Sequence, residues 1–344
     1  MRLKEVFFLA AFTALLGGCA AQVGHAPAES RVGQAQALSP ALEEKILALD
    51  PELVTTQDIR GVLAQAPAPH IISLQGGLIP VQVAMKSFAK FLIGLGYPEE
   101  SVRDPRNGDY SYSSYESSDK LAGLVAWYYE HDTLRPMMLG HSLGGMQTVK
   151  TLHRLADETT TPPAVWNPLT GKPERRHEIA DPLTGQLHSV IGLQVCYASA
   201  LGAGGLARTI PTQWETNARL RQIPDTAEEF TGFHIDGDIV GGDNLGYGPA
   251  NLFYPTGMAS VRNVELPAGS SHWHLPMTDD LLKNQRVLDW IDHYVPTGES
   301  KLDARHGIDG RILWAADVWH SIKKHWVLEL QRSIRARRAA PHEH

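Results

Sequence analysis

The sequence predicts an α/β protein built on a mostly parallel central sheet flanked by helices. Three observations carry that expectation. Short apolar runs alternate with longer stretches of helical spacing, giving strand, helix, loop, helix, strand, helix between residues 71 and 156. One apolar run passes directly into a helical pattern across Gly140-His141-Ser142-Leu143-Gly144-Gly145. The composition, 43% hydrophobic and 20% charged over 344 residues, is ordinary globular usage and can fill a complete core.

The elements follow in chain order. Met1-Arg2-Leu3-Lys4 is a short basic start, and Val6–Leu16 is an apolar run interrupted only by Thr13. A bilayer span needs about 20 such residues, so this run reads as a cleaved signal and not as a permanent transmembrane helix. The four residues that follow, Leu16-Gly17-Gly18-Cys19, resemble the lipobox of bacterial lipoproteins, although Gly17 is a less usual residue there. The resemblance implies that residues 1–18 are a lipoprotein signal peptide and that Cys19 is the lipid-modified (palmitate-bearing) first residue of the mature chain. It also implies an extracytoplasmic anchor in the cell envelope, on the periplasmic side of the outer membrane.

Residues 19–38 are mostly Ala, Gln, Gly, Ser and Pro, the composition of a flexible tether. Residues 39–68 read as a helical segment. Ser39-Pro40 opens a helix with Leu42, Ile46 and Leu49 on one face, Asp50-Pro51 ends it, and a second short helix from Thr56 to Ala64 is broken by Pro67-Ala68-Pro69.

Ile71–Leu74 then reads as a buried strand ending in Gln75-Gly76-Gly77, followed by a helix over Val81–Leu95. A Tyr/Ser-rich loop over Asp109–Ser118 precedes a helix over Asp119–Glu130. Arg135–Leu139 reads as a strand and Leu143–Ala156 as a helix. Residues 157–188 form a small insertion in which Asn167-Pro168-Leu169-Thr170-Gly171 and Asp181-Pro182-Leu183-Thr184-Gly185 repeat one turn-forming pattern, the mark of a β-hairpin that could project over the Ser142 turn. Val190–Tyr197, Phe230–Ile235 and Val261–Leu266 read as further strands, with helices over Gln213–Ile223 and Leu281–Tyr294. Cys196, inside an apolar run, reads as a small buried hydrophobe.

Ser142 sits where a strand turns sharply into a helix, with glycines placed where side chains would collide across the turn. In this Gly-His-Ser-Leu-Gly-Gly string the chain resembles the lipase and esterase branches of the α/β-hydrolase superfamily, over roughly residues 69–295. The resemblance implies the α/β-hydrolase fold and a catalytic triad in the chain order Ser, acid, His. Asp238, in Asp236-Gly237-Asp238-Ile239-Val240 after the Phe230–Ile235 strand, fits the acid best, with Asp236 and Asp243 as alternates. His272, in Gly269-Ser270-Ser271-His272-Trp273-His274-Leu275, fits the base, with His274 as alternate. The oxyanion hole would use the backbone N–H groups of Gly77 and Leu143, although many relatives carry His-Gly where this chain has Gln75-Gly76. Such a serine esterase needs neither cofactor nor metal. Asp236, Asp238 and Asp243 could in principle hold calcium, but their spacing does not match an EF-hand loop.

The expected partners are a small-molecule ester or lipid substrate and, through Cys19, a membrane. An amidase, peptidase or thioesterase of the same fold, and a non-catalytic binding lipoprotein, remain open. A net charge of −7 gives no long-range attraction for nucleic acid. Beyond Val295, residues 296–344 read as a linker and a basic amphipathic helix over Arg311–Arg338. Ile312, Trp319, Ile322, Trp326 and Leu330 fall close to one face, which could dock on the body or lie on an anionic membrane.

Overall fold

The computed structural model describes residues 38–77, 79–203, 219–235, 237–244, 248–249, 252–267, 269–296 and 308–339. The signal peptide, Cys19 and nearly all of the tether lie outside the described residues. Ser39 caps α1 (Pro40–Leu47), its hydroxyl accepting from the Leu42 N–H at 3.3 Å. Thr55 and Asp58 close a reciprocal capping box on α2 (Thr56–Gly61). There follow β1 (Ile71–Leu74), α3 (Ile79–Gly94), α4 (Ser118–Asp132), β2 (Met137–His141) and α5 (Leu143–Ala156). The insertion supplies β3 (Trp166–Asn167), β4 (Lys172–Pro173), β5 (Glu178–Ala180) and β6 (Leu187–Ser189). Next come β7 (Val195–Leu201), β8 (Gln222–Ile223), β9 (Ala227–Ile235), β10 (Asp243–Asn244), β11 (Gly248–Pro249), β12 (Tyr254–Pro255) and β13 (Ser260–Leu266). Two helices complete the chain, α6 (Gln285–Asp292) and α7 (Gly310–Ala339).

The central sheet has the order β1-β2-β7-β9-β13, every pair is parallel, and spatial order equals chain order. Side chains alternate between its faces, so Met137 and Leu139 enter one buried cluster and Met138 the other. A parallel sheet needs cover on both faces. Helices α4 and α5 cover one, through Leu121, Leu124, Val125, Met146, Val149 and Leu152. The other face is covered by α3, through Phe88, Phe91 and Leu92, and by α7, through Trp319, Ile322 and Trp326.

That second cluster runs from Ile46 to Ile334, so the expected domain edges at 68/69 and 295/296 are not boundaries of packing. The N-terminal helical segment and the C-terminal helix are part of the core, and α7 is docked. Trp314, Trp319 and Trp326 are no more than 2% exposed, which removes the apolar face that a membrane-surface helix would need. Its charges are answered from remote elements. Asp317 accepts from both terminal nitrogens of the Arg262 guanidinium at 2.6 Å, Lys324 reaches Glu52 and Glu229, and Arg337 and Arg338 pair with Glu43. Among the described residues no helix is long and apolar enough to cross a membrane.

Several expected elements shift. The strand expected over Val190–Tyr197 begins only at Val195, because residues 190–194 turn through Gly192 at φ +88°. Only the end of the expected Gln213–Ile223 helix is described, and its last two residues form β8, which pairs with β12. The helix expected over Leu281–Tyr294 divides into a 3-10 turn (Asp279–Lys283) and α6, because Asn284 caps a new start at the Val287 N–H. The insertion makes two hairpins, not one, and each repeated motif is a hairpin turn. Asn167 and Asp181 accept two backbone N–H groups apiece, and Gly171 and Gly185 take φ of +67° and +71°. It packs on α4, where a Cβ on Gly123 would stand 2.3 Å from the Ala164 carbonyl oxygen, and Arg176 there binds Glu130. Cys196 is fully buried, and burial pushes its thiol pKa well up.

Candidate active site

The turn between β2 and α5 holds Ser142 at φ +54°, ψ −121°, one of two non-glycine residues with positive φ among those described. The residue is fixed there from both sides. Its N–H donates to the Leu201 carbonyl at 2.8 Å, and its own carbonyl accepts from the Gly145 N–H at 3.0 Å as α5 begins. The flanking glycines are required by space. A Cβ on Gly140 would stand 2.3 Å from the Gly144 carbonyl oxygen, and one on Gly144 would stand 2.3 Å from that of Leu74. The backbone can make this turn only because those positions carry no side chain, and the turn lifts Ser142 at the C-terminal edge of the sheet.

His272 and Asp238 come from loops after β13 and β9. His272 Nδ1 and Asp238 Oδ2 are 2.7 Å apart, and both side chains are largely buried, at 5% and 10% exposure. The carboxylate accepts only, so Nδ1 is the donor and Nε2 is left with its lone pair. Nε2 is buried and has no hydrogen-bond partner among the described residues, so Ser142 Oγ does not reach it in this conformation. Burial opposes the charge on Asp238, but His272 and the backbone N–H groups of Gly241 and Val240 outweigh it and hold the carboxyl below its ordinary range. Glycines make room here as well. A Cβ on Gly202 would lie 2.9 Å from His272 Nδ1, and one on Gly241 would lie 2.2 Å from Asp238 Oδ2.

The two expected oxyanion donors are neighbours. A Cβ on Gly77 would sit 3.1 Å from Leu143 Cδ2, and the Gly77 carbonyl accepts from the Tyr115 hydroxyl at 3.1 Å. Leu143 opens α5, where its N–H has no acceptor within the helix and faces the positive end of the macrodipole. Gln75 does not leave its loop unanchored. Its backbone N–H donates to the Tyr112 carbonyl at 3.1 Å and its side-chain oxygen accepts from Ser111 at 3.0 Å.

The alternates lie elsewhere. His274 is exposed, with Nδ1 2.7 Å from the Ser271 hydroxyl. Asp243 begins the short strand β10, and Asp236 lies outside the described residues. Among the described residues no three His, Cys, Asp or Glu side chains are grouped to hold a metal ion.

No family model matches the chain, and no curated protein matches it. Among solved structures it is similar to a chain described as RedJ with a PEG molecule bound in the active site, at 14% identity and a TM-score of 0.26, over 63% of this chain and 91% of that one. A likeness of that size carries no argument here.

One residue of this neighbourhood is not singled out by sequence reasoning. His141, in the sequence only a letter of the Ser142 motif, is fully buried and its Nε2 lies 2.8 Å from the His272 carbonyl oxygen. No signal in a single sequence could reveal that contact, because it joins positions 131 apart. Chemically, the site offers a serine on a strained backbone turn, a carboxylate-oriented imidazole nearby, and backbone donors at a helix start.

Proposed function

We propose that this chain is a serine hydrolase of the α/β-hydrolase fold that cleaves carboxylic esters through an acyl-enzyme intermediate. The observation that carries the reading is the 2.7 Å contact between His272 and Asp238, which leaves Nε2 as an acceptor beside the strand that leads into Ser142. An unassisted serine hydroxyl is a weak nucleophile near neutral pH and needs such a base.

In the reaction, Ser142 Oγ comes within hydrogen-bond reach of His272 Nε2. His272 takes the hydroxyl proton as Oγ bonds to the ester carbonyl carbon. The negative charge that develops on the carbonyl oxygen is met by the N–H groups of Leu143 and Gly77. Asp238 stabilises the imidazolium, which then passes the proton to the departing alcohol. Water repeats the sequence on the acyl-enzyme and restores Ser142. Apo hydrogen bonds at catalytic centres are commonly long and tighten with substrate, so the unmade Ser142–His272 contact is compatible with this course.

That same unmade contact favours a second reading, a hydrolase-like scaffold that binds a ligand without chemistry. Fluorophosphonate labelling with mass mapping separates the two. An adduct on Ser142 of folded protein, lost in Ser142→Ala, is expected, and its absence selects the scaffold. Nitrophenyl esters compared with amide and thioester substrates then test the bond cleaved. We place the enzyme at the bacterial envelope, anchored through an acylated Cys19. Incorporation of labelled palmitate that vanishes in Cys19→Ala tests the anchor.

A further inference from the structure

We infer that His141 is a positioning residue for the proposed reaction: its ring ties the nucleophile's strand to the main chain of His272. The inference rests on the serine-hydrolase reading and assigns a role that the triad does not include. Ser142 directly follows β2, while His272 follows β13, which stands three places away in the sheet, about 14 Å at ~4.8 Å per place. The base must therefore be brought back over the sheet edge and held there. Asp238 fixes the imidazole through Nδ1, but that bond leaves the height of the whole loop over β2 undetermined. His141 supplies the missing contact. A carbonyl oxygen can only accept, so its Nε2 carries the proton and donates to the His272 carbonyl at 2.8 Å.

The ring suits that task. It is wholly enclosed, its centroid lies 4.9 Å from that of His272, and the two planes are inclined by 40°. Its Nδ1 has no hydrogen-bond partner among the described residues, so the Nε2 bond is the polar contact that orients the ring. Burial lowers its pKa to about 3, which keeps the ring neutral and in the donating tautomer through the working pH range. Because His141 and Ser142 are adjacent, a shift of β2 carries both the nucleophile and the anchor of its base. The separation that governs proton transfer then depends on that short covalent path and hydrogen bond as well as on the Asp238 contact.

The test uses the full chain with three substitutions. His141→Gln keeps an N–H at about the reach of Nε2, His141→Phe keeps the ring without a donor, and His141→Asn keeps a donor too short to reach. The readouts are kcat and KM on a nitrophenyl ester, the rate of fluorophosphonate labelling at Ser142, and the thermal midpoint. A misplacement near 1 Å is expected to cost about 10- to 100-fold in rate. Hence His141→Phe and His141→Asn should lower kcat and labelling by that factor with KM nearly unchanged, and His141→Gln should restore most of the loss. Wild-type labelling with an unimpaired His141→Phe overturns the inference alone, as does His141→Gln impaired as deeply as Phe at an equal thermal midpoint. If Phe does not fold, the Asn and Gln pair decides by the same comparison. No labelling of the wild type overturns the hydrolase reading and this inference with it.

Discussion

Glu329, fully buried on α7, accepts three hydrogen bonds from Arg135, the residue two places before β2. One comes from the backbone N–H at 2.8 Å and two from the guanidinium at 2.9 and 2.6 Å. Arg332 adds two more, at 3.2 and 2.7 Å. Burial opposes the Glu329 charge, but the two arginines outweigh it and hold the carboxyl below its ordinary range. The C-terminal helix is thereby clamped to the foot of the strand that carries Ser142. Removing Glu329 leaves the largely buried Arg135 with only Glu228 and Gln194 and takes a carboxylate from Arg332, so Glu329→Ala should cost up to about 3–5 kcal/mol in urea unfolding. Replacing both, as Arg135→Met with Glu329→Leu, should cost clearly less. Equal losses would refute the pairing.

Ser142→Gly should separate stability from chemistry. A non-glycine residue at φ +54°, ψ −121° stores strain of order 1–3 kcal/mol, which glycine relieves at a smaller entropic cost. The variant is expected to melt higher than wild type while losing all ester hydrolysis. A lower midpoint would mean that the Ser142 side chain makes stabilising contacts that outweigh the strain.

Gly202→Ala should damage the site without dissolving the fold. The new methyl would arrive 2.9 Å from His272 Cε1 and Nδ1 and push the imidazole off Asp238. A fall in kcat of about 10- to 100-fold, with a cooperative melt retained, is expected. Wild-type kcat would show that the imidazole is not confined on that side.

The acid limb of stability should depend on Glu229. Burial works against its charge, but His325 at 3.2 Å and Lys324 at 2.9 Å prevail and bring its pKa from 4.5 to about 2. A depressed carboxyl stabilises the fold above its unfolded pKa, and that contribution disappears as pH drops towards the folded value. The stability gap between wild type and Glu229→Gln should be widest above about pH 5 and close on acidification towards pH 2. Urea midpoints at pH 6, 4 and 3 measure it, and a gap that widens in acid contradicts the pairing.

Much of this was legible in the sequence where the cause is local. The β2–α5 junction follows from an apolar run meeting two glycines, and α5 has the bounds that its spacing implies. The His272–Asp238 pair is expected only from the chain order that the resemblance implies, and the structure brings the two side chains together. What the sequence hid depends on distant partners. Lys324, Arg337 and Arg338 resemble a solvated basic end, because Glu52, Glu229 and Glu43 that answer them lie far away in the chain. The Pro-broken helices before residue 69 resemble an appendage until Gln331 is seen donating to the Ile46 carbonyl at 3.0 Å.

The covering of the second sheet face by α7 also sets an order of events during synthesis. The Gln331–Ile46 contact joins positions 285 apart, and Trp326 reaches the Pro67 carbonyl across 259. Those loops can close only when nearly the whole polypeptide has been made, which slows folding. A nascent chain that ends before α7 has only α3 on that sheet face and lacks the core partners Trp319, Ile322 and Trp326. Until α7 has been made, the chain therefore stays short of its native core, a delay that suits the export proposed for it.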